Sequence, residues 1–235
     1  MSHSDSVFMA FPASQTLADN IRQLIRNLEE GKREPQAALL TSVVLDLTDE
    51  LIKVFLLDLV HLIKLSPFME KLVTSTAGAI RTTAHGIIKT VVGKLDNKQM
   101  LPLANYLRDH LLTAPNNPGQ LVPWVGFPCD EAFDRRVVAL LAGLRGEQPQ
   151  TQAAELAEVL GLVVDRVLDA FIVQPVDLLK LGFVLRKIVD GGAAVIDKAS
   201  RAMIRKMVPD LAAAQLVASA DYIDALRLVN PQRER

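Results

Sequence analysis

The chain has 235 residues, of which half are hydrophobic and only 5% aromatic, and its formal net charge is −1. That charge gives no overall attraction to nucleic acid or to anionic lipid, so either would need a local patch. The single cysteine, Cys129, excludes an internal disulfide, and no basic segment followed by an apolar run opens the chain. These features predict a cytoplasmic protein.

Helical periodicity begins near the start of the chain. Apolar residues from Leu17 to Leu28 recur at i, i+4, i+7, i+8 and i+11, and Ser14 precedes them as a candidate N-cap. A second helix is predicted after Pro35, since proline suits a first helical turn. A fourth, long helix is predicted to follow Pro67. A fifth is predicted to start at 96–99, whose spacing suits a capping box.

The third predicted helix covers the most apolar stretch, residues 51–65. Four polar side chains interrupt this stretch and fall within one narrow arc of a helical wheel: Lys53, Asp58, His61 and Lys64. The stretch is therefore too short and too charged to span the ~30 Å core of a bilayer. We expect a buried helix at the centre of its half, in a protein that is not transmembrane.

The sequence repeats itself with an offset of 116 residues. The segment 61–73 reads HLIKLSPFMEKLV, and 177–189 reads DLLKLGFVLRKIV. The match extends without a gap, and roughly a quarter of the aligned positions are identical. We predict an all-α protein, a tandem duplication of a roughly five-helix unit packed with pseudo-two-fold symmetry. Pro175 should kink the second copy of the central helix, because it removes a backbone donor.

The junction of the two copies is rich in residues that form turns. Pro115, Pro118 and Gly119 lie within it. We predict helical repeat 1 over residues 1–113, a linker over 114–123 and helical repeat 2 over 124–235. The two repeats could also form one fused globule. The chain would then be a monomeric pseudo-dimer, or it could assemble further as a homodimer.

No arrangement of residues in the sequence indicates catalysis. The four histidines do not recur between the copies, and His110, for example, aligns with Leu226. Metal-binding and nucleotide-binding motifs are also absent from the sequence. Cys129 could be a reactive thiol near a helix start, although a buried, inert cysteine is the more frequent case. We predict no catalytic residue, no metal ligand, no cofactor and no enzymatic activity.

The fourth helix of each copy contains a run of small residues, TSTAGA at 74–79 and DGGAAV at 190–195. Two adjacent glycines inside a helix cost roughly 2 kcal/mol relative to alanine, which something should offset. Close approach of two helices, a helix break with a left-handed cap, or an apolar ligand groove would each do so. Tyrosines that recur at the same offset could also line such a groove. The candidate groove residues are Gly78, Tyr106, Gly191, Gly192 and Tyr222.

Basic residues are dense in the second half of the chain. Helical spacing places several of them on one face, although a solvated helix face explains them equally well. No interleaved aromatic residues or helix-turn-helix signature accompany them, which disfavours nucleic acid. The candidate interaction face consists of Arg186, Lys198, Arg201 and Arg205.

Two hypotheses about function follow from these features. The first is a non-enzymatic binding protein that docks a protein partner in the groove between the two helical repeats. The alternative is a carrier or sensor of a hydrophobic small molecule, such as an acyl chain or lipid, bound between the repeats.

Overall fold

Helices make up most of the structure, as predicted. The computed structural model describes residues 6–115 and 120–233. Within these residues the α-helices are α1 (Gln15–Glu29), α2 (Ala37–Ile52), α3 (Leu59–Ile63), α4 (Pro67–Val91), α5 (Asn97–His110), α6 (Glu131–Leu144), α7 (Ala153–Leu168), α8 (Gln174–Leu179), α9 (Phe183–Met207) and α10 (Ala213–Ala225).

The prediction of an all-α protein is confirmed only in part, because the described residues also form a curled antiparallel half-barrel of five strands. The strands occur in the order β4-β1-β3-β2-β5 across the sheet. β1 and β3 pair at its centre, with Ala10 opposite Gly126. The strands are β1 (Val7–Pro12), β2 (Leu111–Pro115), β3 (Leu121–Cys129), β4 (Arg227–Val229) and β5 (Gln232–Arg233).

The central strands escaped prediction because both of their faces are buried. In β1, Met9 and Phe11 belong to the main hydrophobic core, whereas Phe8 and Ala10 belong to a small cluster with Trp124 on the other face. A strand that is buried on both sides has no alternation of polar and apolar residues, and alternation is the signal that identifies a strand in a sequence.

The residues predicted as a linker, 114–123, include parts of two paired strands. β2 ends at Pro115 and β3 begins at Leu121, and the two strands pair in antiparallel register. The intervening residues 116–119 lie outside the described residues. The main hydrophobic core also draws on both sides of this segment, for example on Leu24 and Leu140. The division into two repeats remains a prediction.

Two predicted helix starts are confirmed. The hydroxyl of Ser14 accepts a hydrogen bond of 3.1 Å from the backbone N–H of Leu17, which makes Ser14 the N-cap of α1. At α5 the Asp96 side chain accepts from the backbone N–H of Gln99 at 2.9 Å, and the Gln99 side chain accepts from the Asp96 N–H at 3.1 Å. This reciprocal pair is a capping box.

The predicted central helices contain a change of helical geometry. α2 continues into α3 through a π-helical turn, Lys53–Asp58, and α7 continues into α8 through another, Asp169–Val173. Pro175 lies in the first turn of α8, directly after the second π-helical turn. Because the π-helical turn Lys53–Asp58 has the same geometry without a proline, Pro175 alone does not explain the turn Asp169–Val173. The short helices end on Lys64 and Lys180, which both adopt a left-handed conformation with φ of 49°.

The long helices α4 and α9 pack against each other in antiparallel directions. Ile80 belongs to one buried cluster with Ile196, and Val91 to another with Val189. Between these contacts, a Cβ on Gly192 would overlap Ile87 and lie 3.0 Å from its Cγ1 atom. Close approach of two helices therefore explains Gly192, whereas a helix break is wrong because α9 runs through this position without interruption.

Candidate functional site

Two apolar cavities, both partly open to solvent, lie between the helices, and residues from both sides of the 116–119 segment form the wall of each. Cavity A has a volume of about 140 Å³ and extends from α2 and α4 to α5 and α8; Tyr106, His110 and Pro175 are on its wall. Cavity B has a volume of about 160 Å³ and lies among α2, α4, α7 and α9; Ser200 and Met203 are on its wall. Aliphatic side chains and Phe171 make up most of both walls.

The cavities adjoin each other. Seven residues belong to the walls of both: Val44, Leu47, Thr48, Ala84, Phe171, Ile172 and Ile196. Phe171 and Ile172 come from the π-helical turn between α7 and α8. A π-helical turn alters the spacing of side chains along a helix, and such turns are frequent at functional sites. Here the altered turn forms part of the boundary between the two cavities.

Most polar groups on these walls already donate their hydrogen atoms to backbone carbonyl groups. The Thr48 hydroxyl donates to Val44 O at 2.7 Å. The Tyr106 hydroxyl donates to Ala170 O, within the π-helical turn that bounds the cavities. The Ser200 side chain, on the wall of cavity B, differs: Ser200 is 5% exposed, and its hydroxyl makes no hydrogen bond to the described residues.

Among the described residues, His110 and Tyr106 are the titratable groups on the walls of cavities A and B. The His110 ring stacks on that of Tyr106, with 4.1 Å between the ring centroids, and it meets the edge of Phe171 at 6.1 Å. The Nδ1 atom lies 2.8 Å from Tyr106 O. Burial lowers the pKa of His110, which outweighs the opposing effects of this hydrogen bond and of Asp109. The imidazole is therefore neutral at neutral pH.

The two tyrosines make matching hydrogen bonds between distant parts of the chain. Tyr106 in α5 donates to Ala170 O, and Tyr222 in α10 donates to Val54 O at 2.7 Å. Each acceptor lies in a π-helical turn. Burial raises the pKa of both hydroxyls, with a smaller effect from Asp169 at Tyr106, so both remain protonated donors.

We predict that Tyr106→Phe and Tyr222→Phe each lower the free energy of unfolding by about 1 kcal/mol, because each removes one half-buried hydrogen bond. The effects should add in the double variant, since the two sites share no partner. Denaturant titration of the single and double variants measures these losses. Unchanged stability in all three variants would show that the bonds contribute nothing.

Cys129 lies at the end of β3 and is half-buried. Burial is the largest influence on its thiol and raises its pKa to about 11. A thiolate is the reactive form of cysteine, so the position does not favour the reactive thiol that a helix start could have produced.

We therefore predict that iodoacetamide alkylates Cys129 about a hundredfold more slowly in the folded protein than in denaturant at pH 8, because so little thiolate is present. Mass spectrometry of quenched time points measures both rates, and the denatured chain serves as the control. Equal rates would contradict the protective role of burial.

The predicted groove residues do not come together. Of the five, only Tyr106 is on the wall of cavity A or B. Gly78 and Gly191 are exposed, and a Cβ at either position would meet no atom within 4 Å. Gly192 lies in the contact between α4 and α9, and Tyr222 contacts the first π-helical turn.

The predicted interaction face is interrupted by acidic partners. Arg186 pairs with Asp177 and Asp190, and Arg201 pairs with Asp165 and Asp197. Lys198 and Arg205 are exposed. The face therefore presents alternating charges, with only part of its positive charge left without an acidic neighbour.

Sequence reasoning missed Ser200 and Phe171 as wall residues and set His110 aside. A signal was present: at the offset of 116, His110 aligns with Leu226 and Ser200 aligns with Ala84. At each of these positions, one copy has a polar residue in a core helix and the other copy has an apolar residue. Packing alone does not require the polar residue.

Other classes of site find no support within residues 6–115 and 120–233. No group of three or more His, Cys, Asp or Glu side chains there could hold a metal ion. In the same residues, no helix combines the length and the apolar character needed to cross a membrane. Comparison of the chain with protein-family models, with curated proteins and with solved structures finds no match.

Proposed function

We propose that this protein binds a small apolar molecule in cavities A and B and acts as its carrier or sensor. The observation that carries this proposal is the pair of adjoining, almost wholly apolar cavities. Each is close in size to an engineered cavity of about 150 Å³ that stays dry and binds benzene. A chain-like ligand could occupy both, because they share part of their walls.

The energetic cost of empty cavities supports the same proposal. Protein interiors are close-packed, and an enclosed void of this size would destabilise a fold by about 3 kcal/mol. Because cavities A and B are partly open to solvent, each costs less than this value. A bound apolar molecule offsets this cost, since each methylene removed from water contributes about 0.8 kcal/mol.

The site also fits a duplicated architecture, which we propose for the whole chain. Several features recur at the offset of 116. They include the left-handed lysines Lys64 and Lys180, the hydrogen bonds of the two tyrosines to the π-helical turns, and the pairing of Ala10 with Gly126 at the centre of the sheet. A residue that lies opposite its own equivalent in an antiparallel pair is the pattern expected at a two-fold axis.

Cavity B would lie on that pseudo-two-fold axis. Most of its wall residues occur in pairs separated by the same offset, among them Leu47 with Val163 and Phe55 with Phe171. Pockets favour interfaces between packed units. The ligand site would then be a product of the association of the two repeats.

Native mass spectrometry of the purified protein tests this proposal, with organic extraction to identify what is released. We expect an additional mass of about 150 Da that extraction removes, because the two cavities together hold roughly ten methylene-sized groups. The loaded form should also have a higher melting temperature. Saturation at a hundred times the dissociation constant adds about 2.7 kcal/mol of stability. Protein that contains no ligand and gains no stability from any straight-chain probe would contradict the proposal.

A protein partner, which was the first hypothesis from the sequence, is the second candidate. The observation that favours it is a set of exposed apolar side chains on the first turns of α4 and α9, where Phe68 is 75% and Phe183 is 73% exposed. Recovery of a partner by pull-down should fall on Phe68→Ser or Phe183→Ser. Equal recovery with both variants would remove these turns from consideration. A cytoplasmic location and the lack of catalysis also remain part of the proposal.

A further inference from the structure

We propose that the ligand is a single-chain amphiphile whose polar group donates an O–H hydrogen bond to His110 Nε2, with its chain in cavities A and B and one ligand per protein chain. An alcohol or an uncharged carboxylic acid has the required group. This inference rests on the proposed function and adds the chemistry of recognition and the stoichiometry.

The hydrogen bonds of His110 determine which kind of polar group can bind. Tyr106 O is a carbonyl oxygen and can only accept, so Nδ1 of His110 must carry the hydrogen in their bond of 2.8 Å. In a neutral imidazole the other nitrogen, Nε2, is then an acceptor. The His110 Nε2 atom has no hydrogen-bond partner among the described residues. A ligand that supplies a donor could therefore hydrogen-bond to this nitrogen.

The other polar side chains of cavity A also favour a ligand whose polar group donates a hydrogen bond. The hydroxyl hydrogens of Tyr106 and Thr48 are both used on backbone carbonyl oxygens. Cavity A therefore offers acceptors and no free donor to its contents. A ligand whose polar group can only accept, such as an ether, would lose its hydrogen bonds to water and gain none in the cavity.

The position of His110 sets the orientation of the ligand. His110 is half-buried at the end of α5 on the wall of cavity A, and the adjoining cavity B lies between α2 and α7. The polar group would lie at His110 and the chain would extend past Phe171. At about 30 Å³ for each group, the two cavities together hold roughly ten methylene-sized groups.

The equivalent position in the other half of the chain offers no acceptor, so we expect one ligand per protein chain. At the offset of 116, Leu226 replaces His110. Leucine has no polar atom that could accept a hydrogen bond from a second ligand. Tyr222 lies on the wall of neither cavity.

Two probes with equal numbers of non-hydrogen atoms test the inference, decan-1-ol and methyl nonyl ether. The expected result is that the full-length protein binds one decan-1-ol about tenfold more tightly than the ether, as measured by calorimetry and native mass spectrometry. His110→Leu should abolish this preference while the chain still binds. Ser200→Ala, which removes the free hydroxyl of cavity B, should retain it.

The outcomes separate this inference from the proposed function. If neither probe binds, the proposed function fails. If both probes bind with equal affinity, the proposed binding of an apolar molecule is supported, whereas the proposed hydrogen bond from the ligand to His110 is wrong. A preference that survives in His110→Leu but disappears in Ser200→Ala would reverse the orientation of the ligand and overturn the inference. Two bound alcohols per chain would overturn the stoichiometry.

Discussion

Gly126→Ala is expected to lower the free energy of unfolding by about 3 kcal/mol, at the upper end of the usual cost of overpacking. A Cβ at this position would overlap that of Ala10 and would lie 2.6 Å from Met9 O and 2.7 Å from Ala10 Cα. Two of these three atoms belong to the backbone of the paired strand, which cannot move without disturbing the sheet. Thermal unfolding followed by circular dichroism should show a decrease of roughly 6–12 °C in melting temperature.

Gly78→Ala is the matched control. Gly78 lies within α4 with open space around it, so alanine should raise stability by up to about 1 kcal/mol through its helix propensity. If both variants have the stability of the native chain, the close contact at the centre of the sheet does not exist.

The same position tests the proposed pseudo-two-fold axis. The double variant Ala10→Gly with Gly126→Ala exchanges the two side chains across the β1–β3 pair, where they lie opposite each other. If a two-fold axis relates the strands, the exchanged pair should recover most of the stability that Gly126→Ala loses. A double variant no more stable than Gly126→Ala would show that the surroundings of the two positions are not equivalent.

Ala84→Leu is expected to abolish binding of a straight-chain ligand, with a loss in affinity of at least about a hundredfold. Ala84 is on the wall of both cavities, so the added atoms would narrow the space at their junction. Leucine and alanine both favour helices, and filling a void offsets part of any overpacking. The variant should therefore fold, while decan-1-ol no longer raises its melting temperature.

Ala79→Leu is the control for this change. Ala79 is exposed on the same helix, five residues away, so the same substitution there adds no bulk to either cavity. The Ala79 variant should keep the full stabilisation by decan-1-ol. Equal binding by both variants would place the ligand elsewhere.

The sequence predicted the helices of this fold better than its sheet. Helical periodicity and capping residues are local signals, and Ser14 and Asp96 occupy their expected cap positions. The sheet depends on contacts between distant strands, and Phe8 and Phe11 are both buried although they point to opposite faces. Periodicity alone cannot distinguish such a strand from a segment of a buried helix.

The candidate site was less predictable, for a different reason. The glycines attracted attention because their cost in a helix is a local property, yet Gly191 is exposed and Gly192 serves helix packing. A cavity is a property of several helices together, and no single segment encodes it. Only Tyr106 was both predicted and found on a cavity wall, whereas His110 required the hydrogen-bond pattern of the folded chain to become a candidate.

Methyl NMR of isoleucine-labelled protein tests the central claim, an apolar ligand between the two halves of the chain, most directly. Ile172 and Ile196 are on the walls of both cavities, whereas Ile188 is 39% exposed on α9 and is on neither wall. On saturation with decan-1-ol, the account predicts large shifts of the Ile172 and Ile196 methyl signals and contacts between these methyl groups and the ligand chain. Binding that leaves both signals in place and shifts Ile188 instead would contradict it.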